Sequence, residues 1–338
     1  MKEMSKETLK NILSLSILLA FFIICFFIGV GIGAVEIPLR EIIEIVFMGK
    51  DTDNRAILMD IRMPRVIISA VLGAGLSAVG GVMQGVFKNP LVDSYTLGMS
   101  SGAALGAVLS IVTGIGIFGY GTTGAFAFLG AVSTLFFVYH ISKTKNRVSI
   151  NSLLLSGVAV SYFLSSIISF LMMLNRNKLE QIVFWTMGSL SSATWQKLIF
   201  SSSFILPGIL ALCFFSRELN IMSLGEESAH YMGVDVEKLK YILLVICSLI
   251  VGAVVSTGGT IGFLGLVAPH IVRLIWGSDN RKLIPYSAIM GAAILMLSDA
   301  LGRVLIQPSE IPVGVMTSIM GGPFFIFLLK RQKSKGAA

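Results

Sequence analysis

The chain has 338 residues, of which 55% are hydrophobic and only 13% are charged, and its formal net charge is +8. A soluble domain carries roughly twice that charged fraction and interrupts its apolar residues with polar faces, whereas here they form long charge-free runs. A soluble globular protein is therefore excluded, and the runs require a lipid bilayer.

Ten apolar runs follow one another along the chain and predict an all-α polytopic membrane protein with about ten transmembrane helices. Most runs reach the roughly 17–25 residues that a helix needs to cross a bilayer. The two runs that flank Gly258 and Gly259 could instead form one hairpin of two short helices. The runs are 12–35, 66–87, 95–118, 122–140, 149–174, 198–215, 241–257, 259–276, 284–302 and 311–329.

The first run follows a basic front, which is also a property of signal peptides. Lys2, Lys6 and Lys10 precede it. However, its apolar stretch is longer than the core of a signal peptide, and no A-x-A cleavage site follows it. We therefore expect a retained transmembrane helix.

Basic residues are distributed unevenly between the two sides of the predicted bundle. With ten helices both termini lie on one side, and the segments on that side hold 17 of the 26 Lys and Arg residues. Since Lys and Arg accumulate on the cytoplasmic side, both termini are predicted to be cytoplasmic. The net charge is then mostly a topology signal and requires no nucleic-acid partner.

The whole chain, 1–338, is predicted to be a single transmembrane domain with three long segments that do not span. In the second of these, Trp185 and Trp195 favour the headgroup level, so this segment should lie along the outer surface. The three are the outer loop 36–65, the outer surface segment 175–197 and the cytoplasmic loop 217–240.

Small residues recur at every fourth position on two predicted helices. Such faces let helix backbones approach closely. They favour helix packing within one subunit, with a dimer seam or a moving interface as the alternative. The two sets are Gly73, Ser77, Gly81 and Gly85 on the second helix, and Gly98, Gly102 and Gly106 on the third.

The centres of the predicted helices are almost free of the ionisable residues that mark proton or ion pathways. Cys25, Cys213 and Cys247 lie in separate runs and the three histidines form no cluster, so we expect no metal site, no cofactor and no catalytic centre. No Walker A sequence is present. Uphill transport would need ATP hydrolysed by another polypeptide, while a stand-alone secondary transporter or a channel remains an alternative on composition alone.

The cytoplasmic loop 217–240 has the pattern of a short surface helix. Ser223 and Glu226 have the S-x-x-E spacing of a capping box, and Gly233 is a natural helix stop. Asp235 could then cap the seventh spanning helix. The loop is therefore either a rigid helix that passes a partner's motion to the spanning helices or an ordinary solvated loop.

Several blocks in which polar residues and prolines interrupt the apolar runs resemble the FecCD family, the permeases of bacterial importers for ferric siderophores, haem and vitamin B12. The resemblance covers residues 61–330. It departs from the family pattern in Met63, where Leu is usual, and in Val92 and Ser94, where Ala and Pro are usual. The blocks are RMPR (62–65), GGVMQGVFKNPLVDSYTLGMSSGAALG (80–106), GEESAHYMGV (225–234), GFLGLVAPHIVR (262–273) and SDALGRVLIQPSEIPVGVMTSIMGGPFFIFLL (298–329).

The resemblance implies the type II ABC importer permease fold, with ten helices per subunit and a central path along a homodimer or close heterodimer. It further implies two cytoplasmic ATPase subunits, one extracytoplasmic substrate-binding protein and a place in a bacterial or archaeal cell membrane. The chain itself would then be a transport subunit and not an enzyme. The implied cargo is an iron chelate, with ferric siderophore first and haem and cobalamin behind.

The resemblance also assigns roles to residues at both membrane faces. Charge pairs with the binding protein are implied for an outer set, whose alternative roles are anchoring at headgroups or local pairing, as of Arg62 with Asp60 and of Arg303 with Asp299. ATPase coupling is implied for an inner set. The outer set is Arg62, Arg65, Arg303 and Glu310, and the inner set is Ser223, Gly225, Glu226, Glu227 and Gly233.

Two proline-marked pairs are predicted to shape helix ends near the inner face. Asn89 and Pro90 should end the second helix, because proline restricts the residue before it and cannot continue a helix. Pro269 and His270 should bend the chain in the same way. The ordinary effect of proline, which interrupts or ends a helix, accounts for both pairs, and neither Asn89 nor His270 is expected to be catalytic.

Overall fold

Fourteen α-helices are found in the computed structural model, which describes residues 2–33, 35, 37–116, 121–144 and 147–336. A two-residue antiparallel pair, β1 (Lys143–Thr144) and β2 (Arg147–Val148), joins α5 to α6. The helices are α1 (Lys2–Gly31), α2 (Leu39–Met48), α3 (Met63–Val86), α4 (Met99–Thr113), α5 (Thr122–Ser142), α6 (Ile150–Leu174), α7 (Leu179–Thr186), α8 (Trp195–Phe214), α9 (Ser216–Ser223), α10 (Glu226–Tyr231), α11 (Val236–Gly258), α12 (Leu264–Trp276), α13 (Asn280–Gly302) and α14 (Val313–Gly336).

Each of the ten predicted runs coincides with an apolar helix, so the all-α polytopic fold is confirmed. Seven helices of the described residues are long and apolar enough to cross a membrane, and three more have shorter apolar stretches, the one in α14 being Val313–Phe327. The end of the third run, 117–118, and the topology residue Lys145 lie outside the described residues. The seven are α1, α3, α5, α6, α8, α11 and α13, and the three are α4, α12 and α14.

The structure decides between the two predictions for the runs on either side of Gly258 and Gly259. Helix α11 is a full-length helix of 23 residues that ends at Gly258. Only α12 is short, with 13 residues. Positive φ angles of 70° at Gly259 and 65° at Phe263 turn the chain between them. The two runs are therefore two separate helices, a long one followed by a short one, and not the alternative hairpin of two short helices.

Two segments predicted not to span the membrane contain short helices. The outer loop 36–65 holds the amphipathic helix α2 and a π-helical turn, Ile57–Arg62, which continues directly into α3. The second span thus starts well before residue 66. The outer surface segment 175–197 holds α7, whose Trp185 packs on the end of α4 through Ile111 and Ile182.

Helix α3 lies at the centre of the bundle, with most of its side chains buried. At 1.5 Å per residue its 24 residues are about 36 Å long, enough to cross a hydrocarbon core. Helices α11 and α13 are mostly buried beside it, whereas α1, α6 and α8 expose most of their apolar side chains. The exposed helices are those in position to meet lipid or another subunit.

The small-residue face of α3 packs within this subunit, as predicted. A Cβ atom on Gly73 would overlap the carbonyl group of Gly291 in α13, and Ser77 lies against the same glycine. Gly80, beside this face, lies just as close to Gly265 in α12. On α4, Gly102 and Gly106 lie equally close to the backbone of α5. Gly98 differs from the prediction: it precedes α4 with a φ of 77° and is not part of the helical face.

The antiparallel pair of α3 and α13 defines two ends of the molecule. At one end Arg65 of α3 contacts Asp299 of α13. We call this the arginine end. At the other end Gly85 of α3 approaches Asn280 of α13, and Asn280 binds Asn220 of the segment 216–240. We call this the loop end.

Candidate functional sites at the two ends of the bundle

Two short helices and the first turn of α11 form the predicted cytoplasmic loop. Ser223 is the last residue of α9, and its hydroxyl donates to the carbonyl oxygen of Asn220 at 2.6 Å. Helix α10 begins at Glu226 after Gly225, whose φ is 135°, and no side chain caps it. The capping-box prediction is therefore wrong, because Ser223 satisfies its hydroxyl within the preceding helix.

The end of α10 lies where the sequence predicts it. Gly233 has a φ of 83° and donates its N–H to His230 O at 3.0 Å, while the N–H of Val234 donates to Ala229 O at 3.0 Å. These two bonds form a Schellman motif, which needs a left-handed residue at this position. Asp235 then caps α11 by accepting the N–H of Lys238 at 3.1 Å, as predicted. Helix α10 thus has a fixed end and a fixed connection to α11.

Lys240 is a buried charge at the loop end, with only 1% of its side chain exposed. Its ammonium lies 2.8 Å from Glu226 of α10 and 3.2 Å from Glu237 of its own helix. It also donates to the carbonyl oxygen of Val148 at 3.4 Å, while Glu237 accepts the N–H of Val148 at 2.9 Å. One lysine therefore joins α10, the first turn of α11 and strand β2.

The pair Asn89–Pro90 follows the end of α3 rather than causing it. The helix ends at Val86, and Lys88 takes the left-handed conformation with a φ of 48°. The N–H of Asn89 donates to Gln84 O at 3.1 Å, and the Asn89 side chain accepts the N–H of Leu91 at 3.0 Å. Pro90 lies beyond these closing bonds, where it prevents the helix from resuming.

Pro269 and His270 lie inside α12, so the predicted bend at a helix end is wrong. The helix continues to Trp276, and the His270 ring packs edge-on against Phe324. Proline has no N–H, so the carbonyl oxygen of Gly265 loses its helical donor. The side-chain amide of Gln84 donates to that oxygen at 3.4 Å. The proline thus creates a contact between α12 and α3.

At the arginine end, Asp299 accepts from two arginines. The Arg65 guanidinium lies 2.9 Å from Asp299 and 2.9 Å from Glu310, and Arg303 lies 3.2 Å from Asp299. Asp299 is 1% exposed, whereas the Glu310 side chain is 43% exposed. The network therefore joins the start of α3 to the end of α13 and reaches the surface at Glu310.

Arg62 and Arg303 bind the last carbonyl groups of α1. Arg62 donates to Val30 O at 3.1 Å and to Gly31 O at 3.0 Å, and Arg303 donates to Gly29 O at 2.6 Å. Cations are favoured at a helix C-terminus, where unpaired carbonyl groups concentrate negative potential. The local pair of Arg303 with Asp299 is thus confirmed. Arg62 pairs with backbone carbonyls in place of Asp60.

Burial limits what the three arginines can contact directly. Arg62, Arg65 and Arg303 are only 5–7% exposed. Each already has partners in this chain, so a docking contact made directly by these guanidinium groups would need a rearrangement. Their docking role stays a prediction.

An open cleft of about 560 Å³ lies between the starts of α4 and α14 and the turn after α11. The hydroxyl of Tyr95 accepts the N–H of Ile261 there at 3.3 Å. Its lining is apolar or hydroxyl-bearing and includes no charged side chain. The lining residues are Tyr95, Ser100, Thr186, Met187, Thr260, Gly262, Gly314, Val315, Ser318 and Ile319.

The model of the FecCD transport family matches residues 21–331, nearly the whole chain. The chain belongs to the FecCD transport family. Two relatives are 40% identical: the hemin transport system permease protein HmuU of Yersinia pestis, over 82% of this chain and 84% of that protein, and the cobalamin import system permease protein BtuC of Halobacterium salinarum, over 82% and 74%.

A solved structure has the same fold. It is an inward-facing conformation of a metal-chelate type ABC transporter, with a TM-score of 0.83 and 30% identity over 93% of this chain and 97% of that one. The predicted FecCD resemblance is therefore confirmed. The chain is a multi-pass membrane permease subunit of an ABC importer.

In this FecCD permease, sequence reasoning found the positions at both ends but missed most contacts between them. It counted Lys240 only as a topology charge. A signal was present, since Lys240 lies at the edge of an apolar run and three residues after Glu237. It also missed Gln84 as the partner of the proline-containing helix, and the residues of the cleft.

Proposed function

We propose that this permease moves a metal chelate into the cytoplasm, energised by two ATPase subunits and supplied by an extracytoplasmic binding protein. The observation that carries the proposal is helix α10, a surface helix fixed at its end by the bonds of Gly233 and joined to a spanning helix through Lys240. Such a helix can receive a partner's movement and pass it into the bundle. The permease functions as a dimer in a bacterial or archaeal cell membrane.

The loop end faces the cytoplasm and receives the ATPase. Glu226 and Glu227 begin α10, and Gly225 and Gly233 set its start and its end. Ser223 acts from the last turn of α9. Both termini lie on the same side, which agrees with the accumulation of Lys and Arg in these segments.

The arginine end faces outward and receives the binding protein. Glu310 is the group of the network in position to meet a partner, because its carboxylate is partly exposed. Arg62, Arg65 and Arg303 act from below by holding α1, α3 and α13 in one arrangement. Buried charges thus fix the shape of the docking surface, and Glu310 at its edge contacts the binding protein.

Docking can be tested at Glu310 with a salt series. Exposed charges steer association more than they add affinity, and salt screens them. Glu310→Lys should change both the association rate with the co-purified binding protein and its salt dependence. Glu44→Lys, at another outward position, is the control. Unchanged association of Glu310→Lys at all salt concentrations would place the docking site elsewhere.

The cargo is a chelate of iron or cobalt. Relatives at 40% identity are permeases for hemin and for cobalamin, so these rank ahead of ferric siderophores. An open cleft without charged side chains suits a cargo that is bulky and held by shape rather than by ion pairs. We place the cleft on the translocation path at the subunit interface.

Purification of the complex from its native membrane tests this proposal. We expect two partner proteins, one with a Walker A motif and one extracytoplasmic, and a visible spectrum typical of haem, a corrinoid or a ferric chelate on the latter. Proteoliposomes of the complex should then take up one of hemin, cobalamin or ferric hydroxamate. Uptake by the permease alone, without ATPase subunits, would instead establish a secondary transporter.

A further inference from the structure

Lys240 is the only side chain at the loop end, within the described residues, for which ion pairs to two carboxylates are found. The two carboxylates belong to different elements. Glu226 begins α10, and Glu237 lies in the first turn of α11. The neighbouring Glu227 has no ion pair in the described part of the chain and is exposed. The pairing is therefore specific to one of two adjacent glutamates.

The same lysine reaches a third element, the connection between α5 and α6. Val148 of β2 donates its N–H to Glu237 and accepts from Lys240, so its peptide groups are held from both sides. The rings of Tyr139 in α5 and Tyr241 in α11 lie 5.2 Å apart nearby. Lys240 of α11 therefore contacts the connection between α5 and α6 through Val148.

The contacts of Lys240 with Glu226, Glu237 and Val148 form a junction, and the burial of the lysine makes it stiff. A lysine that is 1% exposed cannot exchange its carboxylates for water without moving into solvent, and an unpaired buried charge is strongly unfavourable. If α10 moves, Lys240 must either follow Glu226 or lose its main partner. The Glu226 side chain is 43% exposed, so the stiffness comes from the buried lysine; a pair with both partners exposed would be remade through water at little cost.

We propose that Lys240 is the positioning residue that transmits movement of α10 to α11 and, through Val148, to α5 and α6. This inference rests on the proposed function, in which α10 receives the ATPase. Movement of α10 reaches Lys240 through Glu226, and Lys240 passes it on through Glu237 and Val148. Ion pairing at Lys240 converts one surface movement into a joint movement of three spanning helices.

The test compares Lys240→Met, Lys240→Arg, Glu226→Gln and the control Lys238→Met, at an exposed lysine of the same helix, in the purified complex. The readout is the amount of hemin, cobalamin or ferric hydroxamate taken up per ATP hydrolysed, with whichever probe the wild-type complex transports. Lys240→Met and Glu226→Gln should lower this ratio about fivefold or more, the low end of coupling between sites. Basal hydrolysis should persist, Lys240→Arg should retain most of the ratio, and Lys238→Met should match wild type.

Several results would overturn the inference. A wild-type ratio in Lys240→Met would do so. So would a loss of assembly, hydrolysis and uptake in equal proportion, which indicates a structural role alone. An effect of Lys240→Met without one of Glu226→Gln would show that Glu226 does not pass movement of α10 to Lys240.

A second measurement needs no partner and no cargo. In the isolated permease, Lys240→Met should speed amide hydrogen exchange at Val148 and across residues 226–233, while Glu227→Gln should not. Wild-type exchange at Val148 in Lys240→Met would contradict the junction itself. If the wild-type complex takes up none of the three probes, the proposed cargo fails, and this exchange experiment still tests the junction on which the inference depends.

Discussion

Asp299 accepts from Arg65 and Arg303 although it lies in a spanning helix and is almost fully buried. A lone carboxylate at such a place would be strongly unfavourable, so the residue depends on both guanidinium groups. The two arginines depend on Asp299 in turn, because its carboxylate is shared between them. Besides Asp299, Arg65 pairs with Glu310 and Arg303 donates to a backbone carbonyl oxygen. At the residue scale, the arginine end is one mutually dependent set of charges.

Removal of the Asp299 charge should destabilise the permease strongly. Asp299→Asn leaves buried guanidinium charge uncompensated, which costs about 3–5 kcal/mol. Arg40→Gln removes an exposed pair with Glu44, where Arg40 is 90% exposed, and should leave the stability nearly unchanged. Thermal unfolding in detergent micelles measures both variants. Equal melting temperatures for the two variants would show that the buried network contributes little.

Position 233 requires glycine because of its backbone conformation, and not because a side chain there would lack space. Its φ is 83°, and a Cβ atom there would meet nothing within 4 Å. Gly233→Val should therefore strain the end of α10 by roughly 1–2 kcal/mol, whereas Gly233→Asn, which tolerates this conformation, should be mild. We expect Val, and not Asn, to lower the cargo moved per ATP while the complex still assembles. The same ratio in both variants would indicate that the end of α10 is unimportant for coupling.

At the element scale, the bundle is held by close crossings of α3 with α12 and α13. The crossing with α12 combines Gly80, which lies against the Gly265 backbone, with the amide of Gln84 on the Gly265 oxygen that Pro269 leaves free. Such small-residue crossings replace the hydrophobic effect, which does not drive helices together within lipid. Proline in α12 is therefore part of a helix contact.

A methyl group at this crossing should separate the helices. Gly80→Ala places a Cβ atom onto the Gly265 backbone, while Gly322→Ala in α14 places one in open space. We expect the first variant to accumulate poorly or to melt well below wild type. The second should match wild type or be slightly more stable, because alanine favours helix over glycine. Normal accumulation and melting of Gly80→Ala would contradict the close crossing.

The elements of this protein were largely predictable, and their contacts were not. Ten apolar runs specify ten helices, because lipid leaves helical hydrogen bonding as the only choice for a single spanning segment. Local patterns are less reliable at the ends, where Ser223 closes α9 instead of capping α10. Arg65 and Asp299 are 234 residues apart, and no periodicity within one segment indicates such a pair. Their contact follows only from the antiparallel packing of α3 and α13.

At the scale of the whole molecule, the two ends differ in construction. The arginine end is tied by buried ion pairs between spanning helices, and it offers mainly Glu310 at its rim. The loop end carries two short helices that connect to the bundle through Lys240 and through Asn220 with Asn280. This asymmetry agrees with the proposed roles, in which an ATPase acts at the loop end and a binding protein docks at the arginine end.

The most direct test of ATP-driven transport compares two sets of proteoliposomes, one with the complete complex and one with this permease alone. We expect uptake of the cargo only with the complete complex, with the binding protein outside and hydrolysable ATP available to the ATPase. The permease alone should show neither ATP turnover nor uptake. Cargo accumulation by the permease alone, or uptake by the complex with a non-hydrolysable ATP analogue, would contradict the account.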